Sequence, residues 1–61
     1  MIYMEIKTIG QFIKTMRKSK KITQKELAEK LNISSQAVSR WENGDALPDT
    51  MLLLTLSEIL G

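Results

Sequence analysis

Apolar residues recur along the chain in short sets at helical spacing, and polar breaks divide them into four segments. Ile9, Phe12, Ile13 and Met16 stand at i, i+3, i+4 and i+7, the buried stripe of a helix expected from Ile9 to Lys18 or Ser19. Thr8, with Gln11 three residues on, has the form of a capping box at its start. Leu27, Ala28 and Leu31 make a second apolar face, with the small Ala28 where another backbone can come close. Val38 and Trp41 mark the inward face of a third helix, expected over Ser35 to Glu42 or Asn43. A fourth helix, capped by Asp49 and running to Leu60, carries Met51, Leu52, Leu53, Leu54, Leu56, Ile59 and Leu60 and is apolar around more than one side. At about 100° per residue, Leu53, Leu56 and Leu60 cluster while Met51 and Leu54 point elsewhere. Residues 1–7 form an apolar-rich lead without a capping signal. They read as an amino-terminal arm before a single domain over 8–61.

The breaks define the central unit. Thr23-Gln24-Lys25-Glu26 is a capping box: the Thr23 hydroxyl accepts from the Glu26 N–H while the Glu26 carboxylate reaches back to the Thr23 N–H. The helix it opens is only about two turns long at 3.6 residues per turn. Asn32 follows, one of the few non-glycine residues that tolerates a left-handed helix end, with Ile33 as the apolar contact after the cap. Ser34 caps the next helix and Gly44 ends it. Two helices this short, joined by this short a turn, cross steeply in a helix-turn-helix arrangement.

Sixty-one residues make one small core, near the lower size for folding without staples. The chain has no cysteine and no histidine, which removes disulfides, thiolate metal sites and the commonest metal ligand and general base. No glycine-rich phosphate loop or converging carboxylate pair is visible, so neither an enzyme nor a metal or cofactor is expected. The longest apolar run, Met51 to Leu54, is too short to cross a bilayer, and no cationic-then-apolar leader is present, so the expected location is cytoplasmic. The net charge is only +2, yet Lys14, Arg17, Lys18, Lys20, Lys21 and Lys25 place six of the nine basic residues in a stretch without an acid. A lysine run is usually a solvated face. Beside a helix-turn-helix, Lys18, Lys20, Lys21 and Lys25 are candidate phosphate contacts, although Lys25 could instead pair with Glu29.

The outward face of the third helix offers Ser35, Gln36, Ser39 and Arg40, opposite Val38 and Trp41. Such a face suits base edges in the major groove, because glutamine pairs bidentately with adenine, arginine with guanine, and serine donates or accepts. The helix N-terminus with Ser34 suits a phosphate oxygen. A merely solvated face has the same residue types. Trp41, in register with Val38, reads as a core anchor rather than a base-stacking platform.

Taken together in order, TQKELAEKL, then Ser-x-Gln-x-Val-Ser-Arg-Trp-Glu-Asn-Gly, then Leu-Pro-Asp before spaced leucines, the stretch from Ile9 to Gly61 resembles the Cro/CI-type helix-turn-helix family, also called XRE and lambda-repressor-like. The resemblance implies an all-α bundle that binds double-stranded DNA as a transcriptional regulator, most often a repressor, and commonly as a homodimer on a palindromic site. It implies base contacts from Ser35, Gln36, Ser39 and Arg40, and phosphate contacts from Gln24, Ser34 and Asn43. Arg17 and Glu42 match a structural ion pair. The chain departs from the family in carrying Asn32 where glycine is usual, and in showing four helices where many members have a fifth. The apolar excess of the fourth helix would then be covered by the arm, by a second copy, or by a further carboxy-terminal domain. The competing reading is a protein-interaction module or antitoxin-type adaptor using that apolar surface. The absence of any acid between Ser34 and Trp41 favours DNA.

Overall fold

The computed structural model describes residues 6–61, in four helices: α1 (Ile6–Ser19), α2 (Gln24–Leu31), α3 (Ser35–Asn43) and α4 (Thr50–Leu60). Side-chain caps set three of the starts. Thr23 Oγ1 accepts from the Glu26 N–H at 3.0 Å and Glu26 Oε1 accepts from the Thr23 N–H at 2.8 Å, the complete capping box of α2. Ser34 accepts from Ala37 N at 3.2 Å to open α3, and Asp49 from Leu52 N at 2.9 Å to open α4. α1 differs from expectation. It already runs from Ile6, so Ile6 and Lys7 belong to the helix rather than to an arm, and Thr8 lies inside the first turns, where it is no cap. The rest of the proposed arm lies outside the described residues.

Three helices end on one backbone pattern. The N–H groups of Lys21 and Ile22 bind the carbonyls of Lys18 and Arg17, those of Asn32 and Ile33 bind Glu29 and Ala28, and those of Gly44 and Asp45 bind Trp41 and Arg40. Each pair is the Schellman closure, whose first residue must turn left-handed. Asn32 at φ 59° and Gly44 at φ 81° are residue types suited to that conformation, whereas Lys21 at φ 60° is not. Among residues other than glycine, asparagine and aspartate, a left-handed backbone costs roughly 1–2 kcal/mol.

The core is Ile13, Leu27, Ala28, Leu31, Val38, Trp41, Leu56 and Leu60. α3 is central, packed against α1 and α2, while α4 closes the bundle against α1 and α2. Trp41 is 5% exposed and therefore a core residue. On α1 the expected stripe is partly wrong: Ile13 is buried and Ile9 and Met16 pack at its margin, but Phe12 is 60% exposed. The face actually turned to α3 is Gly10, Ile13 and Arg17. Gly10 explains the rotation. A Cβ there would stand 2.0 Å from the Trp41 carbonyl oxygen, so the two helix backbones touch at this point and only glycine fits.

Gly10→Ala weighs two effects of different size. Alanine gains up to about 1 kcal/mol in helix propensity, against about 3 kcal/mol for forcing two backbones apart in a packed core. The expected outcome is a net loss of about 2 kcal/mol in chemical denaturation; a variant as stable as wild type would show that α1 and α3 do not meet there.

Candidate nucleic-acid interface

The capping box at Thr23 and the Ser34 cap leave the amino-terminal ends of α2 and α3 exposed on one side of the molecule. Between them and the end of α1 runs an open groove lined by Lys18, Lys21, Thr23, Gln24, Lys25 and Ser35, with Arg17 and Ile22 at its base and no carboxylate in its lining. Two helix N-termini and three ammonium groups converge there, which makes it attractive to an anion. Lys20 is exposed in the same turn but does not line the groove. Lys25 forms no ion pair with Glu29, since Arg17–Glu42 is the one ion pair among the described residues.

α3 presents Ser35, Gln36 and Arg40 as exposed side chains, with Ser39 half-buried. Ser39 accepts from the exposed Asn43 amide at 3.5 Å, a weak contact at the limit of hydrogen-bonding distance. Among the described residues, the side chains of Gln36 and Arg40 meet no hydrogen-bonding or charged partner. The Ser34 hydroxyl is occupied with Ala37 N, which leaves its remaining lone pair and proton outward.

What holds this face in place is a buried cluster. Arg17 Nε and Nη2 donate to the two carboxylate oxygens of Glu42 at 2.7 and 3.0 Å, and its Nη1 donates to the Ile22 carbonyl at 2.9 Å. Gln24 Nε2 donates to Glu42 Oε1 at 3.0 Å. Arg17 and Glu42 are 7% and 8% exposed, and no buried side-chain polar atom among the described residues lacks a partner. One guanidinium thus joins the end of α1, the turn into α2, and the end of α3, while Gln24 ties in the start of α2. Burial pushes the Glu42 carboxyl upward, but the hydrogen bonds from Arg17 and Gln24 and the charges of Arg17 and Lys14 outweigh it, leaving its pKa below the ordinary value. The Glu42 hydrogen bond raises Arg17 in turn, so the pair is charged at neutral pH.

A family model described as helix-turn-helix matches residues 13–61. The chain belongs to the XRE-type helix-turn-helix family. It is 48% identical over 53 residues to the HTH-type transcriptional regulator DicA of Escherichia coli (strain K12), a match covering 87% of this chain and 39% of DicA. It is 41% identical over 54 residues to multiprotein-bridging factor 1 of Candida albicans, covering 88% of this chain and 36% of that protein. It is 36% identical over 53 residues to endothelial differentiation-related factor 1 of Homo sapiens, again covering 87% and 36%. The chain therefore spans well under half the length of these relatives. No helix among its described residues is long and apolar enough to cross a membrane, and no group of three potential metal ligands is found among them.

The outer face of α3 was visible from spacing, whereas the groove was not, because it is assembled from three elements. Its only linear trace is the run of basic residues around the capping box.

Removing one partner of a buried pair leaves the other charge uncompensated, so Glu42→Gln should cost about 3 kcal/mol or more at neutral pH. Because the folded-state pKa of Glu42 is lowered, its contribution is complete above the ordinary glutamate value near 4.5 and is lost as pH falls through the folded value. Wild-type stability should therefore drop below about pH 4.5 more steeply than that of Glu42→Gln; parallel acid denaturation curves would count against the pair.

Proposed function

We propose that this chain is a sequence-specific DNA-binding domain of a cytoplasmic transcriptional regulator, acting as a repressor by occupying a promoter. The observation that carries the reading is the outer face of α3, where Gln36 and Arg40 project without a partner among the described residues, beside a cationic groove with no carboxylate in its lining. α3 lies in the major groove, and Ser35, Gln36, Ser39 and Arg40 meet base edges. Gln24, Ser34, Asn43, Lys18, Lys20, Lys21 and Lys25 meet phosphates and fix the register. Family membership and the likeness to DicA, named as a transcriptional regulator, support this assignment. Gln24 then has two roles: one amide N–H braces Glu42, and the amide oxygen and second N–H remain for solvent or DNA.

A module this small reads few base pairs, so useful specificity calls for a second copy. The proposed assembly is a homodimer on a palindromic site about one helical turn between half-site centres, with the exposed Met51 and Leu54 of α4 at the contact. A second reading is a protein-interaction module, favoured by that same apolar surface and by the likeness to proteins named multiprotein-bridging factor.

Selection of bound sequences from random duplexes tests the assignment, with a two-fold symmetric consensus as the expected result. On that consensus, Gln36→Ala and Arg40→Ala should each cost about 1–3 kcal/mol while changing affinity for random DNA little. Equal losses on both duplexes would remove these residues from base recognition. For the dimer, Leu54→Glu should lower the sedimenting mass without unfolding the domain, since Leu54 is exposed; a wild type already monomeric at high concentration rules it out.

A further inference from the structure

The same closure ends α1, α2 and α3, and the residue at its left-handed position differs in a way that tracks location. α2 uses Asn32 and α3 uses Gly44, which suit the conformation. α1 uses Lys21 at φ 60°, a long side chain with no short polar group to stabilise that backbone locally. Its side chain is exposed, so packing does not offset the strain. This helix end is also the one that borders the cationic groove, which Lys21 lines together with Lys18, near the end of α1, and Lys25, in the first turn of α2. Backbone strain persists where surrounding structure enforces it, and it gathers at ligand-holding positions.

We propose that Lys21 determines phosphate affinity at the expense of fold stability: its ammonium takes a backbone phosphate of duplex DNA, and a lysine rather than glycine or asparagine stands at the left-handed position for that contact. This rests on the DNA-binding reading given above and adds to it a specific trade. A glycine or asparagine at position 21 would satisfy the turn better and leave the groove one cation short.

The test uses wild type, Lys21→Gly, Lys21→Gln and, as a control on the last turn of α2, Lys30→Gln. Each is melted by circular dichroism and titrated against a fluorescent duplex of random sequence across a range of salt. Lys21→Gly should melt about 4 °C higher, relief of strain exceeding the extra chain entropy of glycine. Its slope of log affinity against log salt should fall by about 0.9. Lys21→Gln should lose the same slope without the rise in melting temperature, and Lys30→Gln should keep the wild-type slope. If wild type binds and both Lys21 variants keep its slope, the phosphate contact is overturned while the DNA-binding reading stands. If Lys21→Gly melts no higher, the trade is overturned. A wild type that binds no duplex at any salt would overturn the DNA-binding reading itself, and the proposal with it.

Discussion

The buried guanidinium of Arg17 ties three parts of this structure together. It holds the Glu42 carboxylate with two hydrogen bonds and the Ile22 carbonyl with a third, so α1, the turn into α2, and α3 meet at one buried point. At roughly 0.05–0.15 kcal/mol per residue, a chain of this length has only about 3–9 kcal/mol of stability in total. Loss of one member of a buried pair, at about 3–5 kcal/mol, is comparable with the whole. The pair need not be worth more than an apolar replacement for this to hold; once both charges are buried, each requires the other. Glu42 also accepts from Gln24, so the residue that opens α2 is positioned by the same carboxylate that anchors the end of α3.

That cluster divides α3 into two sides with different physical demands. Val38, Trp41 and Glu42 face inward and are fixed by packing and charge pairing, with the helix end held against α1 at Gly10. Ser35, Gln36 and Arg40 face outward, and among the described residues their side chains have no hydrogen-bonding or ion-pair partner. A helix anchored this firmly on one side can present polar side chains on the other without ordering them internally, as recognition of base edges requires. The groove beside it gathers cations from α1, its following turn, and α2, so that charge attraction and helix N-termini act on the same side as the free face of α3.

The apolar surface is less evenly resolved. α4 buries Leu56 and Leu60 but leaves Met51 and Leu54 mostly exposed, and Phe12 of α1 borders a shallow apolar groove with Leu53. In so small a domain the ratio of surface to core is high, and some exposed apolar area is ordinary. A contiguous set on one helix is the kind of surface that another copy or another protein covers.

Three helix starts, at Thr23, Ser34 and Asp49, and the turn at Asn32 were legible from residue types alone, because capping and left-handed preferences depend on residues within a few positions of one another. The apolar inward residues of α2 and α3 were legible in the same way, since the period of a helix decides which side chains share a face. α1 escaped the same treatment. Its apolar stripe suggested Phe12, but the partner surface selected Gly10, Ile13 and Arg17, because the Trp41 carbonyl comes so close that only a residue without Cβ fits. Local patterns likewise carried no sign that Lys21 turns left-handed, and the run of basic residues did not show that Lys18, Lys21 and Lys25 share one groove with Gln24 and Ser35. Those facts depend on where three helices cross, and the crossing is set by backbone contact and a buried ion pair between residues twenty-five positions apart.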